Sequence, residues 1–366
     1  MSRVVYTGDK SPLAEVITIE ASPDDYILRP TDIVVHVKAA AVIPADIKMI
    51  TLGITPKGAV LGCEYAGIVH RIGSDVQDLV VGDFVTGFVL GNSTDGSVGA
   101  FQDYTVASAA TAIKVGPLIH ENSNQDYIKE GAVTTFEGAV SVSASILTVG
   151  LSLGHYMQIK GKEHAGKWIL IWGGTASTGF LAIQVAKKLY GLKVITVANR
   201  KKYGDRLIAV GADVVVDYHD DDVVAQIKSA TNDSVVFAYD VVSNDATNHR
   251  KVFDAVSDTL PSKVHNLNSI SLKFDSSDDQ KKQHVEFSSC VAFLLTGDDI
   301  PLWGLKRDES IFEDGISFKR QITPLLTSGE IIHMPVHVHL GLDNANDALL
   351  NVQKGVSFTK EVIRLD

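Results

Sequence analysis

The strongest constraint in this sequence is a change of rhythm after residue 160. Lys167-Trp-Ile-Leu-Ile-Trp172 is a near-continuous apolar run that stops at Gly173-Gly174. From Phe180 to Leu189 apolar residues recur at helical spacing, and Gly191 ends the pattern. A second apolar strand, Lys193 to Ala198, precedes a short helical stretch, Asp205 to Val210, closed by Gly211-Ala212. Val214 to Val216, Val235 to Tyr239 and Ser262 to Leu267 continue the series. Strands alternating with helices are joined by crossovers, which makes parallel βαβ units in an α/β sheet buried on both faces.

The first third follows a different pattern. Ile33-Val-Val-His-Val-Lys-Ala39 alternates after the turn Arg29-Pro30-Thr31-Asp32, and short strands punctuated by Gly and Asp follow through Val85. That spacing predicts a β-barrel or sandwich. After residue 305 a helix is expected from Gly315 to Ser328, then an alternating strand from Ile331 to His339. Glu361 to Leu365 is expected to close a sheet begun near the N-terminus. One domain, 151–305, is thus expected as an insertion in another made of 1–150 and 306–366.

Composition narrows the function classes. The 366 residues are 45% hydrophobic and 21% charged, which excludes disordered and fibrous chains. With 33 basic and 44 acidic residues the net charge is −11, so neither nucleic acid nor an anionic membrane is an expected partner. Only Cys63 and Cys290 are present, which rules out a disulfide framework and suits a reducing cytoplasm. Gly138 to Ile159 carries no Asp, Glu, Lys or Arg and is long enough to span a bilayer. Its scattered Ser and Gly residues favour a buried helix or inter-domain segment instead.

Chemistry enters at the turn Gly173-Gly174-Thr175-Ala176-Ser177-Thr178-Gly179, between an apolar strand and a helix. In that context a glycine-rich turn presents backbone N–H groups and a helix N-terminus to a pyrophosphate. Ala176 replaces the middle glycine of the usual spacing. An acid at the end of the second strand would bind a ribose 2′-hydroxyl. Asn199-Arg200-Lys201-Lys202 stands there instead, and cations suit the 2′-phosphate of NADPH.

These residues, with Gly62-Cys-Glu-Tyr-Ala-Gly67, Val80 to Val85, Gly99 to Tyr104 and Gly211-Ala-Asp213, resemble the medium-chain dehydrogenase/reductase superfamily over nearly the whole chain. Pro44-Ala-Asp-Ile-Lys48, Asp217-Tyr218-His-Asp220 and Asp240-Val-Val242-Ser243 look like its zinc-independent fungal branch of quinone, enoyl and aldehyde reductases. The resemblance implies a GroES-like barrel from both chain ends around a Rossmann domain, with Tyr218 and Val242 beside NADP. It also points to Lys48 and Thr148 as candidate catalytic residues. Lys48 would stabilise a developing enolate oxygen, and Thr148 would hydrogen-bond substrate or the nicotinamide ribose.

The departures from the zinc-dependent members carry as much weight. Where they place a cysteine this chain has Ile43, and where they place a histidine it has Cys63. Val140 to Leu151, where a third ligand would fall, contains no Cys, His, Asp or Glu, so no metal site is expected. His333, His337 and His339 read as solvent-facing barrel residues, with no acid close by in sequence. The leading expectation is an NADPH-dependent, zinc-independent reductase of small molecules with activated double bonds. An aldehyde reductase and a non-catalytic cofactor-binding regulator stay open. A monomer or homodimer is expected, the latter through Val291 to Leu295 as an edge strand.

Overall fold

The computed structural model describes residues 1–121, 125–242, 245–267, 282–355 and 358–365. It divides into two compact units, 1–147 with 293–366, and 148–292.

The first unit begins with a hairpin of β1 (Ser2–Tyr6) and β2 (Ala14–Thr18). β3 (Asp32–Val42) is buried except at His36 and Lys38, and α1 (Pro44–Thr51) follows it. β4 (Glu64–Ile72), β5 (Phe84–Phe88), β6 (Tyr104–Ser108), β7 (Ile113–Lys114) and β8 (Tyr127–Ile128) complete the early strands. α2 (Phe136–Val140) and α3 (Ser143–Gly150) then lead through one π-helical turn to Tyr156. That segment passes for a membrane span by length and apolarity, yet 89% of its most apolar window is buried within the protein.

The second unit starts with β9 (Trp168–Trp172), α4 (Ser177–Lys188), β10 (Lys193–Ala198), α5 (Arg200–Ala209) and β11 (Val214–Asp217). It continues with α6 (Val223–Thr231), β12 (Val235–Asp240), α7 (Ala246–Ala255), β13 (Ser262–Asn266) and β14 (Val285–Ser288). Its six strands are all parallel, in the order β11-β10-β9-β12-β13-β14. This is the doubly wound Rossmann arrangement, and its connections change direction between β9 and β12. β12 is buried at every position because helices cover both faces of the sheet.

The chain then returns to the first unit with α8 (Glu309–Thr327), β15 (Val336–Leu340), α9 (Ala345–Lys354) and β16 (Lys360–Arg364). β16 pairs with β3 on one side and β15 on the other, giving the order β7-β5-β4-β3-β16-β15-β8 with β6 also on β3. The register between β3 and β4 shifts twice, at Val34/Val35 and Val37/Ala39. Such irregularities bend strands, and the sheet curls into a GroES-like half-barrel. Ile33, Val35, Leu61, Phe101, Leu349 and Ile363 fill it. Each such side chain contributes about 1.5–3 kcal/mol on leaving water.

Several boundaries differ from the sequence expectations. α5 starts at Arg200 because the Asn199 side chain accepts the Lys202 N–H, and α8 starts at Glu309 because Asp308 caps it. β15 starts only after Pro335, whose missing N–H suits a strand's beginning. Val291 to Leu295 is not an edge strand. Ala292–Thr296 forms a 3-10 turn that buries Leu294 and Leu295, and the edges of the parallel sheet are β11 and β14.

Candidate functional site

The turn after β9 is built by close backbone approach. Gly173 has φ +103°, and the N–H groups of Gly173 and Gly174 both reach the Val197 carbonyl at 3.1 Å. A Cβ at Gly173 would lie 2.6 Å from Val242, and one at Gly179 would strike the Gly173 carbonyl. Glycine is therefore required at both ends of the turn. Ala176 occupies the N-cap of α4, and alanine has no side-chain acceptor to cap the helix. Thr175, Ala176, Ser177 and Thr178 are half-buried, while Gly174 and Gly179 are buried. A glycine turn and helix N-terminus at the carboxyl edge of a parallel sheet suit a pyrophosphate.

At the end of β10, Asn199 accepts the Lys202 N–H at 3.0 Å. Arg200, Lys201 and Lys202 are exposed on the first turn of α5, with the Lys202 ammonium 5.0 Å from the Tyr203 ring centre. No acid precedes them in sequence, yet one faces them in space. Asp217 pairs with Ala198 across β10 and β11, and its carboxylate accepts the Arg200 N–H at 2.8 Å. It also accepts the backbone N–H of His219 at 3.0 Å and lies 2.7 Å from that ring's Nδ1. These contacts, led by the His219 backbone N–H, hold its carboxyl below the usual range. The run Asp217 to Asp222 is thus more than the start of α6. Asp222 is the N-cap there but makes no side-chain cap bond. Strand pairing carries this signal, and local sequence does not. Tyr218 is 50% exposed, and its ring centre lies 4.0 Å from that of His219, tilted by 35°.

The ends of β12 and β13 carry a polar network that sequence reasoning missed. Asp240 Oδ2 lies 3.1 Å from His249 Nδ1 and accepts the Asn266 amide at 2.7 Å, all three side chains being buried. Val242 is 42% exposed beside this network, and Ser243 lies outside the described residues. The Tyr239 hydroxyl bonds Ser152 Oγ at 3.0 Å. His265, its pKa pushed down to about 3 by burial, is neutral. Thr148, on α3, is half-buried.

In the barrel unit, Lys48 is an exposed residue of α1, its ammonium pKa lowered by desolvation. Asp46 is fully buried and caps the helix by accepting the Ile43 N–H at 2.9 Å. Burial pushes its pKa up to about 7, against the pull of the Ile43 N–H and the Cys63 thiol. Glu64, also fully buried, pairs with Lys360 at 2.6 Å and accepts the Ala144 N–H at 3.1 Å. Burial still raises its carboxyl. Tyr65 is buried against Gly87, where it packs.

This donor set does not fit a catalytic zinc. Ile43 offers hydrocarbon, α3 offers no Cys, His, Asp or Glu, and the Cys63 thiol is pushed well above its usual pKa by burial and Asp46. A catalytic zinc needs three protein ligands. Among the described residues the one group of three His, Cys, Asp or Glu side chains with that spacing is His337, His339 and Glu361. The expectation that these histidines face solvent without an acid is therefore overturned. His333 is 3% exposed and bonds the Met334 carbonyl, His339 is 9% exposed, and Glu361 reaches both strand histidines from β16. The acid is near in space because parallel strands juxtapose residues distant in sequence.

Comparison with known proteins agrees with this architecture. Residues 29–117 match the alcohol dehydrogenase GroES-like domain family, and residues 178–255 match the zinc-binding dehydrogenase family. The uncharacterized protein YNL134C of Saccharomyces cerevisiae is 33% identical over 97% of this chain and 95% of its own. The trans-enoyl reductase fsa3 of a Fusarium species is 33% identical over 58% of this chain and 57% of its own. Escherichia coli quinone oxidoreductase complexed with NADPH has the same fold, with a TM-score of 0.70, 19% identity and 100% coverage of both chains. With both family matches and a full-length relative in hand, the chain belongs to the medium-chain dehydrogenase/reductase superfamily.

Proposed function

We propose that this protein is an NADPH-dependent, zinc-independent reductase of activated double bonds in enones, quinones or enoyl thioesters. The carrying observation is the end of β10, where Asn199 caps a helix whose first turn exposes Arg200, Lys201 and Lys202. Arg200 and Lys201 bind the 2′-phosphate by charge-assisted hydrogen bonds. Asp217 does not oppose them fully, since two backbone N–H groups and the His219 ring already engage its carboxylate. The glycine-rich turn from Gly173 through Gly179 and the N-terminus of α4 hold the pyrophosphate, with Tyr218 and Val242 flanking the cofactor. The fold shared with a quinone oxidoreductase complexed with NADPH, and relatives named as trans-enoyl reductases, support the same reading.

The bound cofactor supplies a hydride. Reducing a conjugated C=C bond moves negative charge onto an enolate oxygen, which a fixed donor stabilises. Lys48 is the proposed donor, and Thr148 the proposed contact to substrate or ribose. Water supplies the proton, and no metal is required. The two cysteines are free thiols, as suits a cytoplasmic monomer or homodimer. The test follows NADPH absorbance with enones, quinones and aldehydes, before and after exhaustive treatment with a chelator. Turnover with enones or quinones that survives the chelator is expected. Turnover of aldehydes alone, or loss of activity restored by zinc, overturns the proposal. Cofactor binding without oxidation by any acceptor leaves a regulator.

A further inference from the structure

We propose that His337, His339 and Glu361 bind one divalent transition-metal ion of the zinc class. The site is separate from the reductase chemistry and rests on the barrel sheet alone. Two-residue periodicity puts His337 and His339 on one face of β15, and parallel pairing sets His337 opposite Glu361 on β16. His337 Nδ1 lies 3.0 Å and His339 Nε2 2.6 Å from the same carboxylate oxygen, Oε2. The three donor atoms lie within 4.8 Å of one another, and the imidazole centroids are 4.7 Å apart.

The crowding at that oxygen is the informative feature. Asn351, on α9, also donates to Glu361 Oε2, at 3.0 Å. Three nitrogens thus converge on an oxygen with two lone pairs. Glu361 is 3% exposed, so these three contacts take the place of water around its carboxylate. A cation among these groups satisfies the carboxylate directly and lets both imidazoles turn lone pairs inward.

Zinc holds imidazole nitrogen and carboxylate oxygen at about 2.0–2.2 Å, so tetrahedral donors stand roughly 3.3 Å apart. Small side-chain rotations bring the present atoms to that spacing. Two histidines and one carboxylate are a set zinc uses with a fourth position left to water. The His337 side chain is 37% exposed, which supplies the entry path and that open position. Asn351 then acts as the outer partner that orients the carboxylate. Imidazole-rich sites favour copper, nickel, cobalt and zinc over magnesium or calcium, which fixes the ligand class.

The test uses the full chain, stripped with chelator and dialysed, then titrated with Zn²⁺ by calorimetry and with Co²⁺ by visible absorption. One ion per chain is expected, with cobalt d–d bands but no thiolate-to-cobalt charge-transfer band. The unfolding midpoint should rise saturably with zinc. His337→Ala should weaken binding at least a hundredfold, Asn351→Ala about tenfold, and Cys63→Ser not at all. His337→Ala alters a half-exposed side chain, and its circular dichroism should match the wild type. Its NADPH oxidation should be unchanged, so failure here is distinct from failure of the reductase reading. Absence of binding at millimolar metal, undiminished binding in His337→Ala, or a thiolate band would each overturn the proposal.

Discussion

The turn between β9 and α4 and the polar interior of the barrel sheet handle charge by opposite means. The turn uses backbone. Gly173 and Gly179 let main chain approach main chain at the start of a helix. The barrel uses side chains paired in a low-dielectric interior. Glu64 meets Lys360, and Glu137 meets both His120 and Arg364. Burial works against charge on Glu137, but the His120 hydrogen bond and nearby Arg364 keep its carboxyl below the usual range. The turn should therefore fail sterically, from one added carbon. The barrel should fail electrostatically, from one lost partner.

Removing a barrel partner gives the largest expected effect. Lys360→Met leaves Glu64 buried without its cation, at a cost of about 3–5 kcal/mol in urea unfolding at neutral pH. Losing Lys360 raises the folded-state pKa of Glu64 further, so this deficit should grow as pH rises above the wild-type folded-state value, itself raised by burial, and shrink below it. The double variant Glu64→Gln/Lys360→Met should recover much of the loss. Simple additivity would mean that the pair is energetically idle.

The turn gives the next effect. Gly179→Val drives a side chain into the Gly173 carbonyl, so NADPH affinity should fall at least about a hundredfold, or ~2.7 kcal/mol. Titration of NADPH binding measures it, and unchanged affinity would place the pyrophosphate elsewhere. Barrel stability, probed through the Lys360 deficit in the same background, should be unaltered.

The smallest effect belongs to exposed charge. Arg200→Ala/Lys201→Ala should raise the Michaelis constant for NADPH about thirtyfold, from ~1 kcal/mol per screened cation. The NADH constant should scarcely move, and added salt should weaken NADPH binding preferentially. A double variant that keeps its preference would make the two cations no more than a solvated helix start.

These contrasts also explain what was legible. The βαβ series shows in sequence because parallel strands buried on both faces read as unbroken apolar runs, as at Trp168–Trp172 and Val235–Asp240. The glycine turn is legible for a similar reason, since its parts fall within seven residues. The helix starts at Arg200 and Glu309 are not legible, because the caps Asn199 and Asp308 lie outside the apolar periodicity. Val291 to Leu295 looks like a strand by composition, and its burial in a 3-10 turn depends on neighbours.

By itself, the sequence determined the mixed architecture, the strand–turn–helix order around Gly173 to Gly179, and the lack of three zinc donors at Ile43, Cys63 and α3. Each depends on residue type or short-range spacing. Tertiary structure alone decided that Asp217 faces Arg200, that Glu137 pairs with Arg364 across 227 residues, and that Glu361 joins His337 and His339. Strand register sets those meetings, and register follows from packing the whole sheet. Buried charges tolerate no unmatched position, so the partners are exacting in space while remaining silent in local sequence.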